Sequence, residues 1–306
     1  MGASSWDSKK WDAYSATTST RTVKDNFKNT KLDTGLDPLD VVIRESRDSD
    51  VNPNSTPFII AGDVTGSMGS IADYFVKTGL GILFQEMLTR KPISDPHLAF
   101  YAVGDAFYDN SPLQVSQFEA DLKIAEWLEK VHVEMGGGGN QTESYELPYY
   151  FAAFKTSHDA FEKRGKKGYI FSYGDEGPNE YVLKNQVKKI IGDTLQADMT
   201  FNEVLEVAQK YYYCYHILIE EGNHIRHHGL DNVKKKWIPL FGQNVISLSN
   251  HKALAETIIS IVEINEGVSS VADVVKSWSG DTSLAVSKAV SGLAKADESS
   301  TGIVRL

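Results

Sequence analysis

Cysteine is almost absent: Cys214 is the single one in 306 residues, so no disulfide forms within the chain. It sits in the apolar and aromatic run YYYCYHILI and reads as a small buried hydrophobe rather than a reactive thiol. Long apolar runs are missing as well. Nothing approaches the ~18 consecutive apolar residues of a membrane span. The opening MGASSWDSKKWDAYS is polar and mixed in charge, without the apolar stretch of a signal peptide. Together these absences predict a soluble, cytoplasmic protein. Positive charge is in deficit, with 31 Lys and Arg against 41 Asp and Glu, for a net charge of -10. A field of that sign opposes binding to nucleic acid or to an anionic membrane. The short runs KKIIGD and VKKKW read as solvated helix ends. No glycine-rich loop ends in Gly-Lys-Ser or Gly-Lys-Thr, so nucleotide hydrolysis by a P-loop has no support.

Residues 1–55 form a polar extension rich in Ser, Thr and Asp. Within it, LDVVIRES (Leu39–Ser46) reads as a strand or helical turn docked on the body, and the rest as an arm. RDSDVNPNSTP is a loop by its Pro, Asn and Asp content. From Phe58 the pattern alternates strand and helix. FIIAG is a short continuous apolar run, as a strand buried on both faces requires. SIADYFVKTGLGILFQEML has helical length and spacing. HLAFYAVG and AFYDNSPLQVS read as two strands joined by a hairpin. FEADLKIAEWLEKV is helix, and EMGGGGNQTESYE is a loop opening the helix LPYYFAAFKTSHDAFEKRG. YIFSYGDEG, YYYCYHILIEEG and NVISLSN are strands separated or followed by helical segments.

This order predicts an α/β fold, with a doubly wound, mostly parallel six-stranded sheet and helices on both faces. The expected divisions are an extension at 1–55, the sheet domain at 56–266 and a helical Ser/Ala/Val-rich tail at 267–306.

In open sheets of this kind, ligands bind beyond the carboxyl ends of the strands, where strand order reverses. Three loops there are chemically distinctive: DVTGS after the first strand, GGNQT (Gly138–Thr142) entering a helix, and YGDEG with Asp175 after the fourth strand. In the order 3-2-1-4-5-6 the first and fourth strands are neighbours, so Asp63 and Asp175 face each other, with the Thr142 loop above them. Two carboxylates and three hydroxyls make an all-oxygen site. Such a site suits Mg²⁺, with Mn²⁺ or Ca²⁺ as variants, and not zinc or copper. Thr65 and Ser67 are two apart and point the same way in an extended loop. Gly66 and Gly69 permit a tight turn around an ion.

DVTGS resembles the D-x-S-x-S signature of von Willebrand factor type A (vWA) domains, which opens their metal-ion-dependent adhesion site. GGNQT is similar to their G-G-T-N-T loop, and YIFSYGDEG to their fourth strand with its terminal acid. The resemblance spans roughly residues 56–265. It implies that Thr65, Ser67 and Thr142 ligate the metal through hydroxyls, and that Asp63 and Asp175 hold it through bound water. It also implies a non-enzymatic binding module of the intracellular type. The partner protein offers an Asp or Glu to the metal, and an AAA+ ATPase of the MoxR type is the first guess. The chain departs from the pattern with Thr65 for serine, Asn140 for the middle threonine, and Glu176 directly after Asp175.

Against this stands a Mg²⁺-dependent hydrolase or phosphotransferase of the haloacid-dehalogenase kind, with Asp63 as nucleophile. That chemistry needs a second acid two residues on, and Thr65 there cannot protonate a leaving group. His224, His227 and His228 would share a helical face as a transition-metal site, but Gly222 and Gly229 argue for a solvated loop.

Overall fold

A computed structural model describes residues 4–134 and 140–293, apart from the side chain of Ser67. The central sheet contains β1 (Thr56–Asp63), β2 (Pro96–Val103), β3 (Leu113–Val115), β4 (Gly168–Gly174), β5 (Tyr212–Ile219) and β6 (Val245–Leu248). Their spatial order is β6-β5-β4-β1-β2-β3. This is the expected 3-2-1-4-5-6 arrangement read from the other edge. Neighbours are parallel except β3, which runs antiparallel to β2. The sequence of β1 explains its central place. Phe58 and Ile60 enter one core while Ile59 and Ala61 enter the other, so both faces demand cover.

The helices that supply the cover are, in chain order, α1 (Ser8–Thr18), α2 (Gly69–Tyr74), α3 (Leu80–Arg90), α4 (Lys123–Glu129), α5 (Glu146–Phe154), α6 (Phe201–Tyr211), α7 (Asn223–His228), α8 (Leu230–Phe241), α9 (Leu254–Asn265), α10 (Val271–Lys276) and α11 (Gly280–Val290). One face is packed by α1 to α4 and α9 to α11, the other by α5, α6 and α8. Among the described residues no helix is long and apolar enough to cross a membrane.

A π-helical segment, Phe75–Gly79, joins α2 to α3, with Leu80 N–H reaching back five residues to Phe75 O. The N-terminal extension grips this helix instead of reaching away as an arm. Trp6 stacks on Phe84 at 4.2 Å between ring centroids. The Trp11 indole covers Gly81 so closely that any Cβ there would overlap it. Ser15 Oγ donates to Lys77 O at 2.7 Å, and Asn26 Nδ2 donates to Asp73 Oδ1 at 2.8 Å. Arg44–Ser46, the end of the expected docked segment, is a strand.

That strand corrects one expectation. LPYYFAAFKTSHDAFEKRG is two helices, because Thr156–His158 leaves the helix to pair in parallel with Arg44–Ser46. His158 then caps the next helix, its Nδ1 accepting from Phe161 N–H at 3.1 Å. A second correction is α8, which carries Pro239 and the VKKKW lysines within its span rather than at its end. A third is α7, where a short helix replaces the expected loop between Gly222 and Gly229. The tail folds onto α9 as far as residue 293. Trp278 donates to Ser260 Oγ at 2.9 Å, and the Arg90 guanidinium lies 3.9 Å from the Trp278 ring. Cys214 is buried, as expected, and burial raises its thiol pKa.

Two buried histidines tie stability to pH. Burial lowers His97 and His158 to about 4. Protonating His158 also opposes its cap, since Nδ1 accepts a hydrogen bond. Both stay neutral in the fold while the unfolded chain titrates near pH ~6.5. Their contribution is therefore intact above that value and declines as pH falls from about 6.5 toward 4. Urea midpoints at pH 7.5, 5.5 and 4.5 are expected to fall less steeply in His158→Asn, which caps without titrating. Equal slopes in variant and wild type would contradict the assignment.

Candidate functional site

The floor of the site is built from tyrosines lying over glycines at the strand ends. A Cβ at Gly62 would overlap the Tyr173 hydroxyl, and one at Gly174 the Tyr145 hydroxyl. Only glycine lets these rings slide under the loops. Tyr145 then donates to Asp63 Oδ2 at 2.9 Å. Beneath them His216 and Trp237 stack at 3.4 Å, and Trp237 Nε1 donates to Glu176 O at 2.9 Å.

Asp63 is fully buried at the end of β1. Its Oδ1 accepts from Thr65 N at 2.8 Å and from Thr65 Oγ1 at 2.7 Å. Gly66 turns the loop at φ +42°, as the glycine there anticipated. Burial pushes Asp63 up to about 7, reinforced by the charge of Asp175. Register places Gly62 beside Tyr173, so Asp63 and Asp175 end neighbouring strands as the sequence argued. Asp175 Oδ2 accepts from His224 N at 2.8 Å, and burial raises its carboxyl too. Gly222 presses against the Asp175 side chain with no room for a Cβ.

The structure thus brings together Asp63, Thr65 and Asp175. Thr142 stands at the same mouth, half-buried, in a two-residue strand paired with Gly177–Pro178. Ser67 lies in the turn Gly66–Met68, and its side chain is outside the described residues, as are Gly138 and Gly139 of the GGNQT loop.

Glu143 was not anticipated. It is buried, and its Oε1 lies 3.2 Å from Thr65 Oγ1. Its Oε2 has no hydrogen-bond partner. Burial, and then the charges of Asp63, Glu176, Asp105 and Asp109, push it up to about 10. Glu176, also with an unpartnered buried Oε2, is pushed up to about 7 by burial and Asp175. Fully buried Glu146 is pushed up to about 8 by burial. The signal was present in TESYE, where two glutamates stand at the threshold of an otherwise apolar helix. Asp105 is a turn acid, accepting from Phe107 N at 2.8 Å, and its charge also acts on Glu143.

These donors fit a hard divalent cation: hydroxyl and carboxylate oxygens around a carboxylate atom that nothing satisfies. Among the described residues, no three His, Cys, Asp or Glu side chains gather as a group able to hold a metal. An ion here depends on hydroxyl donors as much as on acids. Among the described residues, His224, His227 and His228 do not form such a group either.

No protein-family model matches the chain. No curated protein matches it either. Among solved structures the chain is similar to the pilus adhesin SpaC from Lactobacillus rhamnosus GG in its open conformation, at 9% identity and a TM-score of 0.48, over 72% of this chain and 31% of that one. It is also similar to a von Willebrand factor type A from Catenulispora acidiphila, at 12% identity and a TM-score of 0.37, over 70% of this chain and 43% of that one. Each match covers less than half of the other chain. At these scores the likeness adds nothing to the architecture read directly from the strands.

Proposed function

We propose that this chain is a non-enzymatic, divalent-metal-dependent protein-binding module of the vWA kind. The observation that carries the reading is the buried cluster of Asp63, Thr65 and Glu143, with no protein partner for Glu143 Oε2. Carboxylates packed this closely need a proton or a cation between them. Mg²⁺ is the first candidate, with Mn²⁺ and Ca²⁺ as alternatives. Thr65, Ser67 and Thr142 serve as its hydroxyl ligands, Asp63 and Asp175 as its anionic support, and Glu143 joins them. The bound ion supplies a positive centre able to accept an outside carboxylate. The chain's own part is positioning. Tyr145 and Thr65 fix Asp63, while the His224 N–H fixes Asp175.

The partner presents an Asp or Glu. By the sequence resemblance, a MoxR-type AAA+ ATPase in the cytoplasm is the partner to test first. Thr65 favours adhesion over hydrolysis. Where phosphoryl transfer needs a general acid, this chain turns a hydroxyl toward Asp63.

Calorimetry with Mg²⁺ tests the reading. Asp63→Ala/Thr65→Ala is expected to lose the binding seen in wild type, and equal affinity in the two proteins would sink the assignment. A pull-down from the native source with Mg²⁺, against one with EDTA, then identifies the partner.

A further inference from the structure

The rim of the mouth is divided by charge. On the β2 side stand Asp105, Asp109 and Glu134; burial, and then the charges of Glu134 and Asp105, raise the Asp109 carboxyl against the hydrogen bond it accepts from Asp105 N at 2.7 Å. On the opposite side α7 and α8 expose Arg226, His227, His228, Lys235 and Lys236. In a chain of net charge -10, Arg226, Lys235 and Lys236 make a local gathering of cations, with Asp231 the exposed acid of α8 among them. His227 and His228, which the metal reading leaves without a role, belong to this flank.

Between the flank and the Thr65 loop lies a cavity of about 210 Å³. Met68, Ser70 and Ile71 line it from one side, and Gly222, Arg226 and His251 from the other. Its floor at Gly222 is the back of Asp175, so the cavity adjoins the candidate metal site. Glu221 also lines it, but His251 holds that carboxylate through its backbone N–H at 2.6 Å and Nδ1 at 2.7 Å. Arg226 is exposed at the cavity, and its charge is among those that lower the Glu221 carboxyl, so the two side chains face the same space.

We infer that the cavity beside Asp175 and the cationic flank of α7 and α8 bind an acidic segment of the partner protein. One carboxylate reaches the metal and a second enters the cavity at Arg226. This inference rests on the metal-dependent reading and adds direction to it. Acids on the β2 side repel an acidic segment, so it runs over α7 and α8 instead. A partner with a single isolated carboxylate gains nothing from the flank.

The test uses fluorescein-labelled hexaglutamate as probe, read by fluorescence anisotropy in Mg²⁺ and in EDTA, with Mg²⁺ calorimetry on each protein. Wild type is expected to bind the peptide in Mg²⁺, more weakly as salt rises. Arg226→Glu is expected to weaken peptide binding about tenfold without weakening Mg²⁺ binding, since it removes no metal donor and adds a negative charge nearby, while Arg226→Lys retains most of the peptide binding. Arg226 is exposed, and circular dichroism verifies that both variants fold. Wild type that binds Mg²⁺ but ignores the peptide overturns the inference and leaves the metal reading standing. So does Arg226→Glu that binds the peptide as wild type does. Peptide binding that is equal in EDTA and lost in Arg226→Glu supports the flank and removes the metal reading.

Discussion

Gly222→Ala is expected to cost the protein its divalent-metal affinity while leaving the chain folded. Gly222 has φ -65° and ψ 149°, an ordinary conformation for alanine, so the backbone offers no penalty. The whole effect comes from contact, because the new methyl would occupy the space of the Asp175 carboxylate and its Cβ. Asp175 must then leave the His224 N–H and move from its station opposite Asp63. Overpacking of this kind costs ~1–3 kcal/mol of stability. Thermal melts with and without Mg²⁺, together with calorimetry, read both consequences. Retention of wild-type Mg²⁺ affinity by Gly222→Ala would remove Asp175 from the site.

The largest expected loss of stability is that of Trp237→Ala. Trp237 is fully buried, lies against His216, and packs with Tyr145, Phe201 and Phe241. Truncations of this size cost ~3–5 kcal/mol. The loss also reaches the mouth, since Trp237 Nε1 holds the carbonyl of Glu176 and its ring supports Tyr145, the donor to Asp63. Trp237→Phe separates the two roles. It keeps most of the packing and drops one hydrogen bond, for which ~1 kcal/mol is expected. Urea unfolding of the three proteins gives the comparison. A Trp237→Ala midpoint within error of Trp237→Phe would show that the ring is not the support described.

The sheet was legible because its strands carry unambiguous marks. FIIAG is apolar on both faces, and the hairpin spacing before β3 leaves little freedom. That Asp63 and Asp175 end neighbouring strands followed from strand order. The unforeseen features are products of packing. Glu143 looks like any loop acid until burial and four neighbouring charges act on it. Tyr145 reads as a core aromatic, and its hydrogen bond to Asp63 depends on Gly174 lying beneath it. The break at Lys155 depends on a strand more than a hundred residues earlier in the chain (Arg44–Ser46), which local periodicity does not register. α7 was hidden by its flanking glycines, and α8 by Pro239, usually a helix breaker.

The π-helical turn between α2 and α3 makes this part of the molecule a matter of counting. The grips of the N-terminal extension at Asp73, Lys77, Gly81 and Phe84 straddle a segment wound one residue longer than an α-helix allows. Deleting one residue from Phe75–Gly79 would return the segment to α-helical winding and leave the flanking turns close to their present phase, because the wide turn is where the extra residue is taken up. Asp73 would keep its contact with Asn26, and the turn Gly66–Met68 would keep its place. A residue lost from the regular winding of α3 has no such slack, and it turns everything before it by about 100° relative to everything after. Changes of length are absorbed at the wide turn and transmitted undiminished to the mouth of the sheet from anywhere else on this helix.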